Sequence, residues 1–153
     1  MLALCLSIQN ELYAIPARDV VEVVPQVLLR SLPGAPGYVS GLLAYRGELL
    51  PVVDLSRRLI DVPARSCLSA RIVVVQRASG AEPARYGLLT ERVADIRRLP
   101  DAVTHASHAA GAAFLAGSVL DKGIAVQLLA VDALLPARAQ LQLPADAPAE
   151  ERA

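Results

Sequence analysis

Aromatic side chains are scarce: there is no tryptophan, one phenylalanine (Phe114) and four tyrosines in 153 residues. A surface that stacks bases or sugar rings needs more flat side chains than these. An excess of positive charge is also lacking. Fifteen Lys and Arg balance fifteen Asp and Glu, so nucleic acid is not an expected partner, because phosphate binding draws on surplus cations. The two cysteines, Cys5 and Cys67, lie far apart and match no metal spacing. They read as reduced thiols. His105 and His108 could meet one metal from a helix face, but no third ligand accompanies them and their segment is small and loop-like. No apolar run approaches the ~20 residues a bilayer demands. The longest, residues 124–135, is broken by Gln127 and Asp132. The opening octet lacks a basic region and stops at Gln9-Asn10-Glu11, unlike a secretion signal. A cytoplasmic protein with no direct membrane insertion is expected.

Catalytic signatures are missing as well. The sequence holds no Gly-x-Ser-x-Gly elbow, no phosphate loop ending in Gly-Lys-Ser/Thr and no dinucleotide fingerprint. A triad drawn from Asp101, Ser107 and His108 has no sharp turn to present its nucleophile. No catalytic residue, metal or cofactor is expected, and an interaction protein is favoured over an enzyme.

What is present is short, apolar and heavily punctuated. Hydrophobic residues make up 54% and charged residues 20%, which excludes wholesale disorder and allows one core. Residues 2–8 alternate large with small or polar side chains, a strand pattern. Further strands are predicted over residues 11–15, 20–24, 71–77, 84–91 and 93–99, mostly stopped by prolines or polar turns. Residues 41–45 and 48–55 flank Arg46-Gly47, and residues 115–120 and 124–131 flank Asp121-Lys122-Gly123. Both read as hairpins. Helical segments are brief: residues 56–60 with Ser56 as cap, and residues 132–135 before Pro136. Residues 144–153 are Pro, Ala and charge, and read as a disordered tail. The fold class is therefore all-β, as small barrels or a sandwich.

The chain also repeats itself. The run that begins at Tyr13 matches the one at Tyr86, an offset of 73 that lays Val20 on Val93 and Glu22 on Asp95. An offset of 76 lays Tyr38 on Phe114 and Gly47 on Gly123, and Leu50, Val52 and Val53 on Val126, Leu128 and Leu129. One β module is used twice, over roughly residues 10–68 and 69–135, within a domain of residues 1–143. This leaves room for exchange of the terminal segments. Modules of about 70 residues are marginal alone, so the two should pack together and leave a groove.

Two charges stand out in the first module. Glu22 interrupts Val20-Val21-x-Val23-Val24, and Arg46 sits at a hairpin tip. A solvated strand face and a solvated turn would explain each separately. Together they suggest a carboxylate–guanidinium pair that braces a partner-facing surface.

Residues 32–55, ending Ala44-Tyr45-Arg46-Gly47-Glu48-Leu49-Leu50-Pro51-Val52-Val53-Asp54-Leu55, resemble the signature of the CheW-like domain. So do Tyr13-Ala-Ile-Pro16 with Val20-x-Glu22-Val23, and Gly87-Leu-Leu before Val93. The resemblance runs from Leu2 to about Leu135. It implies two SH3-like five-stranded β-barrels and a non-catalytic scaffold. Its partners would be a methyl-accepting chemotaxis receptor and a CheA-like histidine kinase, at membrane-associated receptor arrays. By the same resemblance, Glu22 and Arg46 would border a receptor groove with Gly47, and Val20 and Ile72 would line it. Tyr45 would add a flat contact at the tip. Gly87, Val93 and Ile96 would mark the kinase-binding surface. Where the family has Asn-Leu-Arg-Gly, this chain has Ala44-Tyr45-Arg46-Gly47. That is similar to adaptors of alternative, Wsp-type chemosensory systems that drive cyclic-di-GMP synthesis. Two other classes remain open: a small-molecule-binding β module that uses the inter-barrel groove, and a hydrolase that uses the His105/His108 loop.

Overall fold

The computed structural model describes residues 1–103 and 114–137. His105, His108 and the tail at 144–153 lie outside them. Among the described residues the strands are β1 (Leu2–Ile8), β2 (Glu11–Pro16), β3 (Val20–Pro25), β4 (Val39–Tyr45) and β5 (Glu48–Asp54), then β6 (Arg71–Gln76), β7 (Arg85–Thr90), β8 (Arg92–Arg98), β9 (Leu115–Asp121) and β10 (Ile124–Leu129). Two short helices, α1 (Leu55–Ile60) and α2 (Val131–Leu134), follow β5 and β10. The all-β prediction holds.

The strands form two five-stranded sheets. The first has the order β8-β1-β2-β10-β9 and the second β3-β6-β7-β5-β4. Moving each strand five places along the chain converts one order into the other. The predicted repeat is thus an architectural one. Its buried positions coincide: Tyr13 and Tyr86 are both buried, as are Leu50, Val52 and Val53 beside Val126, Leu128 and Leu129. Its turns coincide too. Arg46 and Gly47 have φ +47° and +81°, and Lys122 and Gly123 have +50° and +82°. Two successive positive-φ residues suit the right-handed twist of the hairpins they join, and glycine takes the second place without a Cβ penalty.

The sheets do not divide the chain between residues 68 and 69. Hairpin β6–β7 lies in the sheet of β3, β4 and β5, and hairpin β1–β2 lies with β8, β9 and β10. Each hairpin joins its new sheet by one parallel pairing, β2 on β10 and β7 on β5, and one antiparallel pairing, β1 on β8 and β6 on β3. A two-stranded hairpin is marginal alone. Exchanged in this way, each one gains a strand on both sides.

Three apolar cores result. The central one lies between the sheets and takes Leu4, Leu6 and Ile8 from β1 and Val73 and Val75 from β6. The opposite faces of the same strands fill the other two. Ala3 and Cys5 pack inside the first sheet with Ala14, Val126 and Leu128. Ile72 and Val74 pack inside the second with Leu43, Tyr45, Leu50 and Val52. The large–small alternation of β1 therefore separates two buried faces, rather than a buried face from a wet one.

Polar anchors hold the ends. Helix α1 is capped by Asp54, not Ser56: Asp54 Oδ1 accepts from the Arg57 amide at 3.2 Å and Oδ2 from the Ala64 amide at 2.9 Å. The helix begins one residue earlier than predicted, and Ser56 Oγ is buried without a partner. Arg58 Nε donates to the Leu134 carbonyl at 2.8 Å, and its guanidinium lies over Tyr38 and Phe114, the pair related by the 76-residue offset. Buried Arg77 donates to the carbonyls of Pro83, Asp132 and Pro136. Tyr86 donates to the Val131 carbonyl.

Gly87 is enclosed at the middle of the second sheet. A Cβ there would stand 2.9 Å from Ile72 Cγ2 and 3.0 Å from Val52 Cγ2. Overpacking of this kind costs about 1–3 kcal/mol. Gly87→Ala should lower the denaturant midpoint accordingly. Unchanged stability would show that the sheet has slack at this point.

Candidate functional site

The second sheet has β3 and β4 at its two edges. Two contacts close the gap, one from the segment that follows β3 to β4 and one between the edges themselves. The first is a backbone bridge: Arg30 and Leu42 exchange hydrogen bonds of 2.9 and 2.8 Å. The second is made by side chains. Glu22, just past an irregularity in the β3–β6 register, reaches across to the end of β4. Its Oε1 accepts from the Tyr45 hydroxyl at 2.7 Å and from Arg46 Nη2 at 2.8 Å.

The local sequence explains the placement. Leu43 and Tyr45 alternate inward on β4, so the Tyr45 ring packs in the second sheet's core and only 8% of the residue is exposed. Arg46 opens the turn, and its side chain is 67% exposed while that of Glu22 is 40% exposed. The Arg46 guanidinium lies 5.1 Å from the Tyr45 ring centroid, within cation–π range. The Tyr45 hydroxyl's pKa is raised, first by its bond to the Glu22 carboxylate and then by burial. It therefore remains a donor at neutral pH.

The predicted Glu22–Arg46 pair thus forms. Other predicted site residues are placed differently. Tyr45 is not a flat surface contact; strand alternation turns it into the core, and only its hydroxyl serves the surface. Ile72 is 0% exposed and packs beneath Tyr45, so it supports the site instead of lining it. Val20 is half-buried against the central core, and Gly47 is exposed in the turn. In the second predicted set, Gly87 is buried in the second sheet, whereas Val93 and Ile96 belong to β8 in the first. Val93 packs on the central core, and Ile96 is 65% exposed. Of those three, Ile96 is the most exposed.

A second latch went unread in the sequence. The edges of the first sheet, β8 and β9, are joined by Arg97. Its Nε donates to both Asp95 oxygens at 2.8 and 3.0 Å, and its Nη1 stands 3.6 Å from Asp121 Oδ2. The signal was available: Asp95 lies 73 residues beyond Glu22, and Asp121 lies 76 beyond Tyr45.

A concavity of about 420 Å³ lies elsewhere, between the β1–β2 turn and the β7–β8 turn, with Ser7, Asn10, Arg65, Ser69, Glu91 and Arg92 in its wall. Most of its lining residues are polar or charged. Glu91 is buried, and its Oε2 accepts from the Arg65 amide and Nε at 2.6 and 3.3 Å. This pins the segment between α1 and β6. Among the described residues no group of three or more His, Cys, Asp or Glu side chains could hold a metal ion. No described helix is long and apolar enough to cross a membrane.

Two exchanged five-stranded sheets, each latched by an acid and an arginine, define an all-β module without an evident reaction centre among the described residues. A family model described as the CheW-like domain matches residues 2–139, and the chain belongs to that family. It is 34% identical to Protein FrzA of Myxococcus xanthus over 96 residues, 63% of this chain and 58% of that one. It is 39% identical to the chemotaxis protein CheW of Rhizobium meliloti (strain 1021) over 70 residues, 46% of this chain and 43% of that one. The matches thus span about half the length of these relatives. The fold is that of the scaffolding protein TtCheW from Thermoanaerobacter tengcongensis, with a TM-score of 0.81, 21% identity and coverage of 94% of this chain and 93% of that one.

Glu91 supplies a pH test. Burial pushes its carboxyl up, but the Arg65 amide and guanidinium, with a smaller contribution from the Gln9 backbone, outweigh it and hold the pKa below the usual 4.5. A depressed acid stabilises the fold fully above its unfolded pKa and loses that contribution as pH falls through the folded one. The stability gap between wild type and Glu91→Gln should therefore be widest near neutrality. It should close as pH drops below 4.5. A gap that persists to about pH 2 would contradict the ionised anchor.

Proposed function

We propose that the chain is a non-catalytic scaffold that couples methyl-accepting chemoreceptors to a CheA-like histidine kinase. The observation that carries this reading is the Glu22–Tyr45–Arg46 cluster: a fixed ion pair, open to solvent, on a chain of the CheW-like family. Its likeness to a chemotaxis protein in sequence and to a scaffolding protein in fold supports it.

A receptor tip is a helical hairpin, and a helix docks on a sheet rim through apolar contacts and a few oriented charges. Glu22, Arg46 and Gly47 form that rim, with Tyr45 and Ile72 in the second sheet's core behind it and Val20 against the central core. The kinase surface is assigned to β8, with Ile96 as its exposed contact and Val93 behind it. Gly87 belongs to this surface only as packing in the neighbouring sheet. The protein works in the cytoplasm, recruited to membrane-associated receptor arrays. Output through cyclic-di-GMP is the finest part of the reading, supported by the Ala44-Tyr45-Arg46-Gly47 departure and by Ala70-Arg71-Ile72 after Leu68-Ser69.

Reconstituted receptor-controlled kinase activity tests the assignment. Arg46→Ala should leave folding and kinase binding intact and weaken receptor coupling. The cost should be about 1 kcal/mol or less, because the pair is largely exposed. Ile96→Asp should weaken kinase binding and spare receptor binding. Full coupling by Arg46→Ala, together with normal kinase binding by a folded Ile96→Asp, would remove both surfaces from the assignment.

A further inference from the structure

The two latches occupy equivalent places and differ in charge. In the first sheet, Arg97 meets two carboxylates, Asp95 and Asp121. Its side chain is about two-thirds covered, and the cluster carries one net negative charge. The second sheet has Glu22 where the first has Asp95, and Tyr45 where it has Asp121. The cation also moves, from the strand at Arg97 to the turn at Arg46, opposite Lys122 in the repeat. One carboxylate oxygen is shared there by a neutral phenol and a guanidinium, and the cluster has no net charge.

The difference matters for Arg46. A guanidinium carries five N–H donors. Nη2 serves Glu22, and no other hydrogen bond of Arg46 to a described residue is formed. A second carboxylate at position 45 would engage the cation and repel Glu22. A hydroxyl does neither: it donates to Glu22 and leaves the cation's remaining donors unspent. The ring beneath the guanidinium, 5.1 Å away, restrains the side chain that carries them.

We propose that Tyr45 is the positioning residue of the partner-facing site: its hydroxyl fixes Glu22 so that Arg46 keeps free donors for an acidic side chain of the partner. The inference rests on the scaffold reading above and adds the chemistry of the contact. It gives the ring and the hydroxyl separate roles. The ring restrains Arg46, and the hydroxyl orients Glu22. It also distinguishes the two sheets, because Arg97 is engaged by its own acids.

The test uses the full chain and a helical-hairpin fragment from a methyl-accepting receptor tip. In a second set of fragments each acidic residue of the tip is changed in turn to its amide. Wild type should lose affinity for one of those amide fragments. Tyr45→Phe keeps the ring and should weaken binding of the native fragment about twofold to threefold, the low end of one hydrogen bond and less than the loss on Arg46→Ala. It should also be less sensitive to the same amide change, with kinase binding and unfolding midpoint near wild type. Tyr45→Leu removes ring and hydroxyl and should lose more. A spectroscopic arm reads the contact directly. With tyrosines labelled at 13Cζ, the Tyr45 resonance should titrate at lower pH in Glu22→Gln than in wild type. Wild-type binding by Tyr45→Phe, equal sensitivity of both proteins to the amide change, or an unmoved Tyr45 titration would each overturn the inference. A wild-type chain that ignores the receptor fragment altogether would defeat the scaffold reading, and this one with it. Binding that ignores Tyr45→Phe defeats this one alone.

Discussion

Strands β1 and β6 are buried on both faces, and the positions of the other strands follow from that. Each strand contributes one face to the core between the sheets and the other to the core inside its own sheet. A strand with two apolar faces cannot sit at a solvent-exposed surface. Hairpins β1–β2 and β6–β7 must therefore be enclosed, and exchange between repeats encloses both at once. Neither sheet then keeps its full core without the other half of the chain. Full burial of a single Leu or Ile side chain is worth about 1.5–3 kcal/mol, so the shared central core outweighs any surface ion pair in holding the halves together.

The same constraint locates the site. With β6 and β7 at the centre of the second sheet, β3 and β4 become its edges, and the sheet must curl to cover Ile72, Val74 and Leu50. The curl brings Glu22 opposite Tyr45. Edge strands expose unpaired backbone groups that invite unwanted pairing. The Arg30–Leu42 bridge and the Glu22 cluster close this edge, and the Arg97 cluster closes the other. Partner recognition is thus assigned to a feature the sheet already needs for closure. The partner-facing role is proposed for the copy whose cation has donors to spare.

Much of this was legible in the sequence, for definite reasons. Prolines and the Arg46-Gly47 and Lys122-Gly123 turns mark strand ends through backbone conformation, which is local. The repeat was legible because turn glycines and large core residues recur at fixed offsets. The Glu22–Arg46 pair was legible as opposite charges flanking apolar strands. The exchange of hairpins was only a possibility, because strand pairing between segments distant in the chain leaves no mark in a local pattern. Tyr45 was misplaced by attention to its neighbour at the tip; its alternation with Leu43 already pointed inward. Gly87 and Ile72 are family-matched positions whose burial follows from the central place of β6 and β7, which no single-strand pattern reveals. Ser56 lost the cap to Asp54 because the helix starts on the last apolar residue of the preceding run.

The central claim is that a receptor meets the second sheet's latch and not the first's. Backbone amide NMR of the full chain, titrated with the receptor-tip hairpin, tests it most directly. The resonances of Glu22, Arg46 and Gly47 should move together in proportion to occupancy, while those of Asp95, Arg97 and Asp121 stay in place. Shifts centred on Asp95, Arg97 and Asp121, with Glu22 and Arg46 undisturbed, would contradict it.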